Sequence, residues 1–190
     1  MDLKSLSLIQ KRNSASRLKA PGPSRAELVE IFKAAMRAPD HGRLSPWRFL
    51  VIEGEGRGDL GGLFADMLRR NAPDSSMEAC QKIAEKTLRA PLIIVVIARI
   101  IDNPKVPAIE QQISAGCAAQ NILLAAEALG YGAILRTGVQ AYDPLVCRGL
   151  GLAEGESIIG FIYMGTRDGE AKPLAQPSWE DFVRFWPEGR

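Results

Sequence analysis

Seven consecutive apolar residues, Leu92-Ile93-Ile94-Val95-Val96-Ile97-Ala98, constrain this chain more than any other stretch. Side chains alternate across a strand, so a run with no polar position predicts a central strand covered on both faces. The run is far shorter than the roughly 20 residues that span a bilayer. It is therefore read as the middle of a sheet in a soluble protein.

The surrounding pattern supplies the cover. Arg48 to Glu53, Ala133 to Leu135 and Ile158 to Met164 read as further strands, rich in aromatic and β-branched residues. Leu3, Leu6, Leu8 and Ile9 mark a short amphipathic helix over residues 3–12. Ser24 and Glu27 form a capping-box signature for a helix that carries Leu28, Ile31, Phe32, Ala35 and Met36 on one face and ends before Pro39. Two more helices are expected around 59–71 and 75–89, and a short one over Asp143 to Leu150. The longest helical pattern runs from Ala108 to Leu129, about 30 Å at the helical rise, and Gly130 closes it. Its small-residue middle, Ser114 to Ala119, suits tight helix packing, a subunit interface or a helix buried under the sheet. The tail from Gly169, with its prolines and tryptophans, is expected to be extended and packed. No repeat or long linker divides the chain, so residues 1–190 are read as one α+β domain.

Composition excludes several functions. A net charge of +2 and the lack of a basic stripe with interleaved aromatics argue against nucleic acid. The single histidine rules out a His-rich metal centre. Cys80, Cys117 and Cys147 lack paired spacing and fit reduced thiols in a cytoplasmic protein. Met1 to Gln10 has no continuous apolar h-region, so no secretory signal is expected.

Three segments carry the candidate chemistry. Lys11-Arg12-Asn13-Ser14-Ala15-Ser16-Arg17 puts cations, hydroxyls and free backbone N–H groups together, which suits a phosphate monoester. The competing reading is a frayed helix end with solvated charges. Arg37-Ala38-Pro39-Asp40-His41, followed by Ser45-Pro46-Trp47, brings the lone histidine into a loop. Gly130 to Gly138 surrounds a strand with glycines that permit close backbone approach. A fourth segment, Gly54-Glu55-Gly56-Arg57-Gly58-Asp59, begins like a dinucleotide fingerprint but has Asp59 where the third glycine belongs. An anion there opposes a pyrophosphate, and the stretch is read as a loop.

The order and spacing of the three segments resemble the flavin-dependent nitroreductase family, in particular its short, minimal subgroup. The resemblance covers roughly Ser5 to Phe182. It implies a nitroreductase-type α+β sandwich: a mostly antiparallel sheet flanked by helices, in a homodimer with FMN at the subunit interface. Arg12, Asn13 and Ser14 match the family's flavin-phosphate and ribityl-binding positions, with Asn13 where the subgroup usually has a second arginine. Arg37 and His41 match residues that contact the flavin, often from the partner subunit. Ser45 replaces the glutamine of the family's Gln-Pro-Trp. Leu135, Arg136, Thr137 and Gly138 match the strand end that lies along the flavin ring, with Thr137 or Gly138 offering a backbone N–H to its reactive edge. Ala125, Ala126, Glu127, Ala128, Leu129 and Gly130 correspond to a stretch linked in relatives to the nicotinamide cofactor. The implied function is FMN-dependent, ping-pong reduction of nitroaromatics, quinones or enones by NAD(P)H, with no catalytic nucleophile or acid. The alternative is a flavin carrier or sensor without turnover.

Overall fold

A computed structural model describes residues 3–175 and 177–187 of the chain. The central strand is where the aliphatic run predicts it: β3 (Leu92–Arg99), with Leu92 to Ala98 fully buried. It lies between β2 (Trp47–Glu53) and β5 (Glu156–Arg167), antiparallel to both. β4 (Gly132–Arg136) and the two-residue β1 (Leu18–Lys19) pair with β5, also antiparallel. The sheet order is β1-β5-β3-β2, with β4 joined to β5.

The alternation along β3 assigns its side chains to two cores. Leu92, Ile94, Val96 and Ala98 meet Leu28, Ile31 and Ala35 of α2 (Arg25–Ala35) and Ala115, Ala118 and Ile122 of α5 (Ala108–Ala128). Ile93, Val95 and Ile97 meet Leu60, Phe64 and Met67 of α3 (Gly56–Asn71) and Val146 of α6 (Pro144–Gly149). α1 (Lys4–Lys11) buries none of its residues. α4 (Met77–Ala84) packs against α3 and buries Cys80. This is the antiparallel, helix-flanked α+β arrangement expected from the sequence.

The capping box forms as read: the Ser24 hydroxyl accepts from Glu27 N–H and the Glu27 carboxylate accepts from Ser24 N–H. Gly130 takes φ +84° just past the α5 C-cap, where its N–H reaches the Glu127 carbonyl.

Four expectations need correction. The helix expected over 75–89 is α4 followed by a 3-10 turn, Glu85–Arg89. There Thr87 turns inward and its hydroxyl donates to the carbonyls of Ala84 and Arg57, tightening the chain against α3. Gly61 permits that approach, since a Cβ on it would stand 2.7 Å from the Ala84 carbonyl oxygen. The supposed loop at 54–59 is largely the first turn of α3, where Asp59 suits the positive end of the helix. β5 is longer than Ile158 to Met164, and a register shift opposite Val96/Ile97 lets it extend. The tail is exposed at every described position from Gly169 onward, so its own fold does not cover it; residues 176 and 188–190 lie outside the described set.

No helix among the described residues is long and apolar enough to cross a membrane, and none of their acidic, histidine and cysteine side chains cluster as a metal site.

Candidate functional site

The segment after α1 is drawn onto the sheet by backbone pairing. Ala15 N–H donates to the Ala133 carbonyl at 3.0 Å, and Ser14 and Ala133 form a parallel bridge. Gly132 makes this approach possible: a Cβ there would lie 2.8 Å from Ala15 Cβ and 2.9 Å from Leu18 Cδ2. Asn13 Nδ2 donates to the Lys172 carbonyl at 2.5 Å, tying the start of the tail to the same loop. Arg167 Nη2 donates to the Asn13 carbonyl at 3.2 Å and pairs with Glu127 at 3.3 Å.

A groove begins at this loop. Ser14, Ser16, Arg17, Arg167 and Lys172 border a hollow of about 200 Å³, together with the carboxylates Asp168 and Glu170. Ser16, Arg17 and Asp168 are shared with a second hollow, which ends at Arg89. Arg89 in turn borders a third, of about 350 Å³, whose rim carries Arg136, Thr137 and Gly138. The structure thus lines up two of the three sequence segments along one side of the molecule. The guanidinium groups of Arg12, Arg17 and Arg136 have no carboxylate partner among the described residues. Arg17, beside the Ser14 and Ser16 hydroxyls and a glycine-dependent backbone cradle, can meet a phosphate monoester such as that of FMN, with Asp168 on the same rim neutralised by Lys19. Arg12 borders none of the three hollows.

Leu135 is partly exposed and leans over Gly160, where a Cβ would come within 2.6 Å of its Cδ1. Gly138 has φ +89°, outside the range that L side chains favour.

The third segment is elsewhere. Arg37 follows α2 and borders a separate hollow with Leu8, Asn121, Leu124, Ala125 and Ala128. His41 Nδ1 lies 2.7 Å from Glu110 Oε2 at the start of α5. Both belong to the α2/α5 side of the sheet, whereas the Arg136 hollow opens on the α3 side, floored by Phe161 and Tyr163. One copy of the chain therefore does not bring Arg37 and His41 to the groove.

The loop that holds His41 is tightly built. Asp40 accepts from Leu44 N–H at 3.0 Å and Ser45 N–H at 2.8 Å. Arg43 and Ser45, neither a glycine, take φ of +55° and +47°. Left-handed conformations at two ordinary residues store strain of a kind that collects at functional loops.

Among Ala125 to Gly130, Ala126 is buried in the core, Leu129 caps the helix and Glu127 holds Arg167. Ala125 and Ala128 share the hollow beside Arg37. Lys86, Arg89 and Tyr163 escaped the sequence reading. The two cations read as the polar face of an ordinary helix, and the tyrosine as one more strand residue. Only the 3-10 turn and the alternation of β5 bring them together.

Comparison with known proteins identifies the family and the fold. Residues 9–166 match the profile of the Nitroreductase family. Escherichia coli K12 YdjA, a proposed NAD(P)H nitroreductase, is 44% identical over 163 residues, 85% of this chain and 87% of that protein. A proposed NAD(P)H nitroreductase of Haemophilus influenzae is 36% identical over the same span of 163 residues. Among solved structures, a nitroreductase-like protein from Bacillus cereus superposes with a TM-score of 0.86 at 24% identity, covering 98% of this chain and 97% of its own. A proposed nitroreductase from Desulfovibrio desulfuricans, solved in complex with FMN, gives a TM-score of 0.75 at 22% identity with full coverage of both chains.

Proposed function

Since this chain belongs to the nitroreductase family, we propose that two copies of it hold FMN between them and carry out NAD(P)H-dependent reduction of small acceptors. The observation that supports this reading is the separation of its parts. The Arg136 hollow opens on the α3 side of the sheet, whereas the Arg37/His41 loop lies on the α2/α5 side. A second copy is the simplest source of the missing half.

FMN, when bound, supplies the hydride chemistry, alternately accepting from a nicotinamide and donating to an acceptor. The protein's part is to bind and orient. Arg12, Asn13, Ser14 and Arg17 would hold the phosphate and ribityl end, with Lys172 held beside Asn13 by its carbonyl. Leu135 to Gly138 would border the ring, and Arg136 would place a fixed positive charge near it. Arg37 and His41 would reach the flavin from the other subunit, His41 presented by the strained Asp40 to Ser45 loop and steadied by Glu110. The short stretch Ala125 to Gly130 remains the candidate for contact with the nicotinamide cofactor.

Two apolar surfaces support the dimer. Leu3 just before α1 and Leu6 and Ile9 on it are about half exposed, as are Ile109 and Ile113 of α5. The tail adds Phe182, Phe185 and Trp186, which their own chain leaves uncovered.

The test is direct. Purified protein should be yellow, should release FMN on denaturation, and should oxidise NAD(P)H in the presence of menadione or a nitroaromatic well above free FMN. Colourless protein that takes up no added FMN refutes the reading. Bound FMN without turnover favours a carrier or sensor.

A further inference from the structure

Glu127 stands where helix electrostatics gives no reason for an anion. It lies in the last turn of α5, at the negative end of the helix, and that turn carries no cation of its own. Its side chain is half-buried and meets Arg167 across the end of the sheet, Oε2 at 3.3 Å from Nη2. Arg167, the last residue of β5, is half-buried too. The same Nη2 donates to the Asn13 carbonyl at 3.2 Å. One guanidinium nitrogen therefore joins the end of α5 to the segment that follows α1.

Asn13 is held at a second point, where its side-chain amide donates to the Lys172 carbonyl. The next two residues are laid on β4 by the Ser14/Ala133 bridge and by Ala15 N–H. Gly132 lets these pieces converge, since a Cβ on it would stand 3.4 Å from Arg167 Cα as well as against Ala15. Of these anchors, the one through Arg167 alone is charged. A charge-assisted hydrogen bond in a half-buried place is the stiffest of them.

We infer that Glu127 and Arg167 are a positioning pair for the phosphate-type loop. Glu127 aims the guanidinium at the Asn13 carbonyl, and the guanidinium fixes Asn13 and Ser14 where a flavin phosphate meets them. The inference rests on the flavin reading above, and it gives Glu127 a part other than contact with the nicotinamide. It also sets a sign. Arg167 borders the same hollow as Ser14, Ser16 and Arg17, so Glu127 places a negative charge close behind a phosphate site. By charge alone, neutralising Glu127 would free Arg167 and tighten an anionic ligand. By position, what matters is whether an oxygen at 127 still reaches Arg167, because an untethered guanidinium releases Asn13 and the loop with it.

The probes are FMN and riboflavin, which differ only in the phosphate. Their dissociation constants are read from flavin fluorescence on the full chain freed of flavin. Glu127→Asp keeps the charge but is one methylene too short, and should weaken FMN about tenfold while leaving riboflavin unchanged. Glu127→Gln keeps the reach and loses the charge, and should hold FMN close to the wild type. Glu78→Gln, in the exposed pair with Lys82, should match the wild type for both flavins. Tighter FMN in Glu127→Gln, or wild-type FMN affinity in Glu127→Asp, overturns the assignment in favour of charge. An equal loss of FMN and riboflavin overturns it too, because Glu127 would then brace the fold at large. So does a change confined to KM for NAD(P)H, which would make Glu127 a contact of the reductant. A wild-type chain that binds neither flavin removes the flavin reading itself, and the pair's role with it.

Discussion

Arg48 grips Glu156 through both arms of its guanidinium, Nε at 2.7 Å from one carboxylate oxygen and Nη2 at 2.6 Å from the other. The pair reaches from β2 across β3 to the first residue of β5, and Ala153 N–H and Arg99 add to it. The Arg48 contact is the main reason that the Glu156 pKa drops from 4.5 to about 2. A carboxyl group with a depressed folded-state pKa contributes stability that is complete above its unfolded value and is lost as pH falls towards the folded one. Glu156→Gln should therefore destabilise the protein by about 2 kcal/mol at neutral pH, as one side of a mostly buried pair is neutralised. Urea denaturation of both proteins should show that gap closing between about pH 5 and pH 2. A gap independent of pH would exclude the ion pair as its cause.

The proposed sharing of the site between two copies can be tested by complementation. Arg12→Ala and His41→Ala should each be poorly active alone. Unfolded together and refolded in equal amounts, they should regain about a quarter of wild-type sites, because each mixed two-fold dimer has one site free of both changes. No recovery in a mixture shown to contain mixed dimers would place Arg12 and His41 in the same subunit's site.

Gly132 is the contact that lets the phosphate-type loop lie on β4. Gly132→Val would drive side-chain carbon into Ala15 and Leu18, already at 2.8 and 2.9 Å from an added Cβ. FMN occupancy should fall severalfold, read from the visible spectrum against total protein. Arg12→Ala should lower it too, and Arg99→Ala, which borders none of the groove's hollows, should not.

Gly62 offers the opposite outcome. It sits inside α3 with nothing within 4 Å of an added Cβ and without a positive φ. Gly62→Ala should raise stability by about 0.5–1 kcal/mol through lower unfolded-state entropy and better helix propensity. A lower melting temperature would show that this face of α3 needs the space.

Much of the fold was legible because its signals are local. The aliphatic run of β3, the Ser24/Glu27 box and Gly130 past α5 each fix backbone geometry within a few residues. The turn at 85–89 was not legible, because Thr87 leaves the helical path for the distant Arg57 carbonyl. The same limit applied to the groove. Ser14 and Arg136 are visible as separate motifs, but their alignment depends on Gly132, whose reason for being glycine is the distant Ala15. Lys86, Arg89 and Tyr163 come from a turn and a strand with no shared periodicity, so no window of sequence contains them together.

The placement of Arg37 and His41 across the sheet from Arg136 has a consequence for the cell as well as the fold. On the proposed reading a lone folded copy is a half-built catalyst, so specific activity should depend on protein concentration and fall on dilution below the dissociation constant of the dimer. Synthesis rate would then act as a threshold: scarce copies stay silent, and abundant ones switch on together.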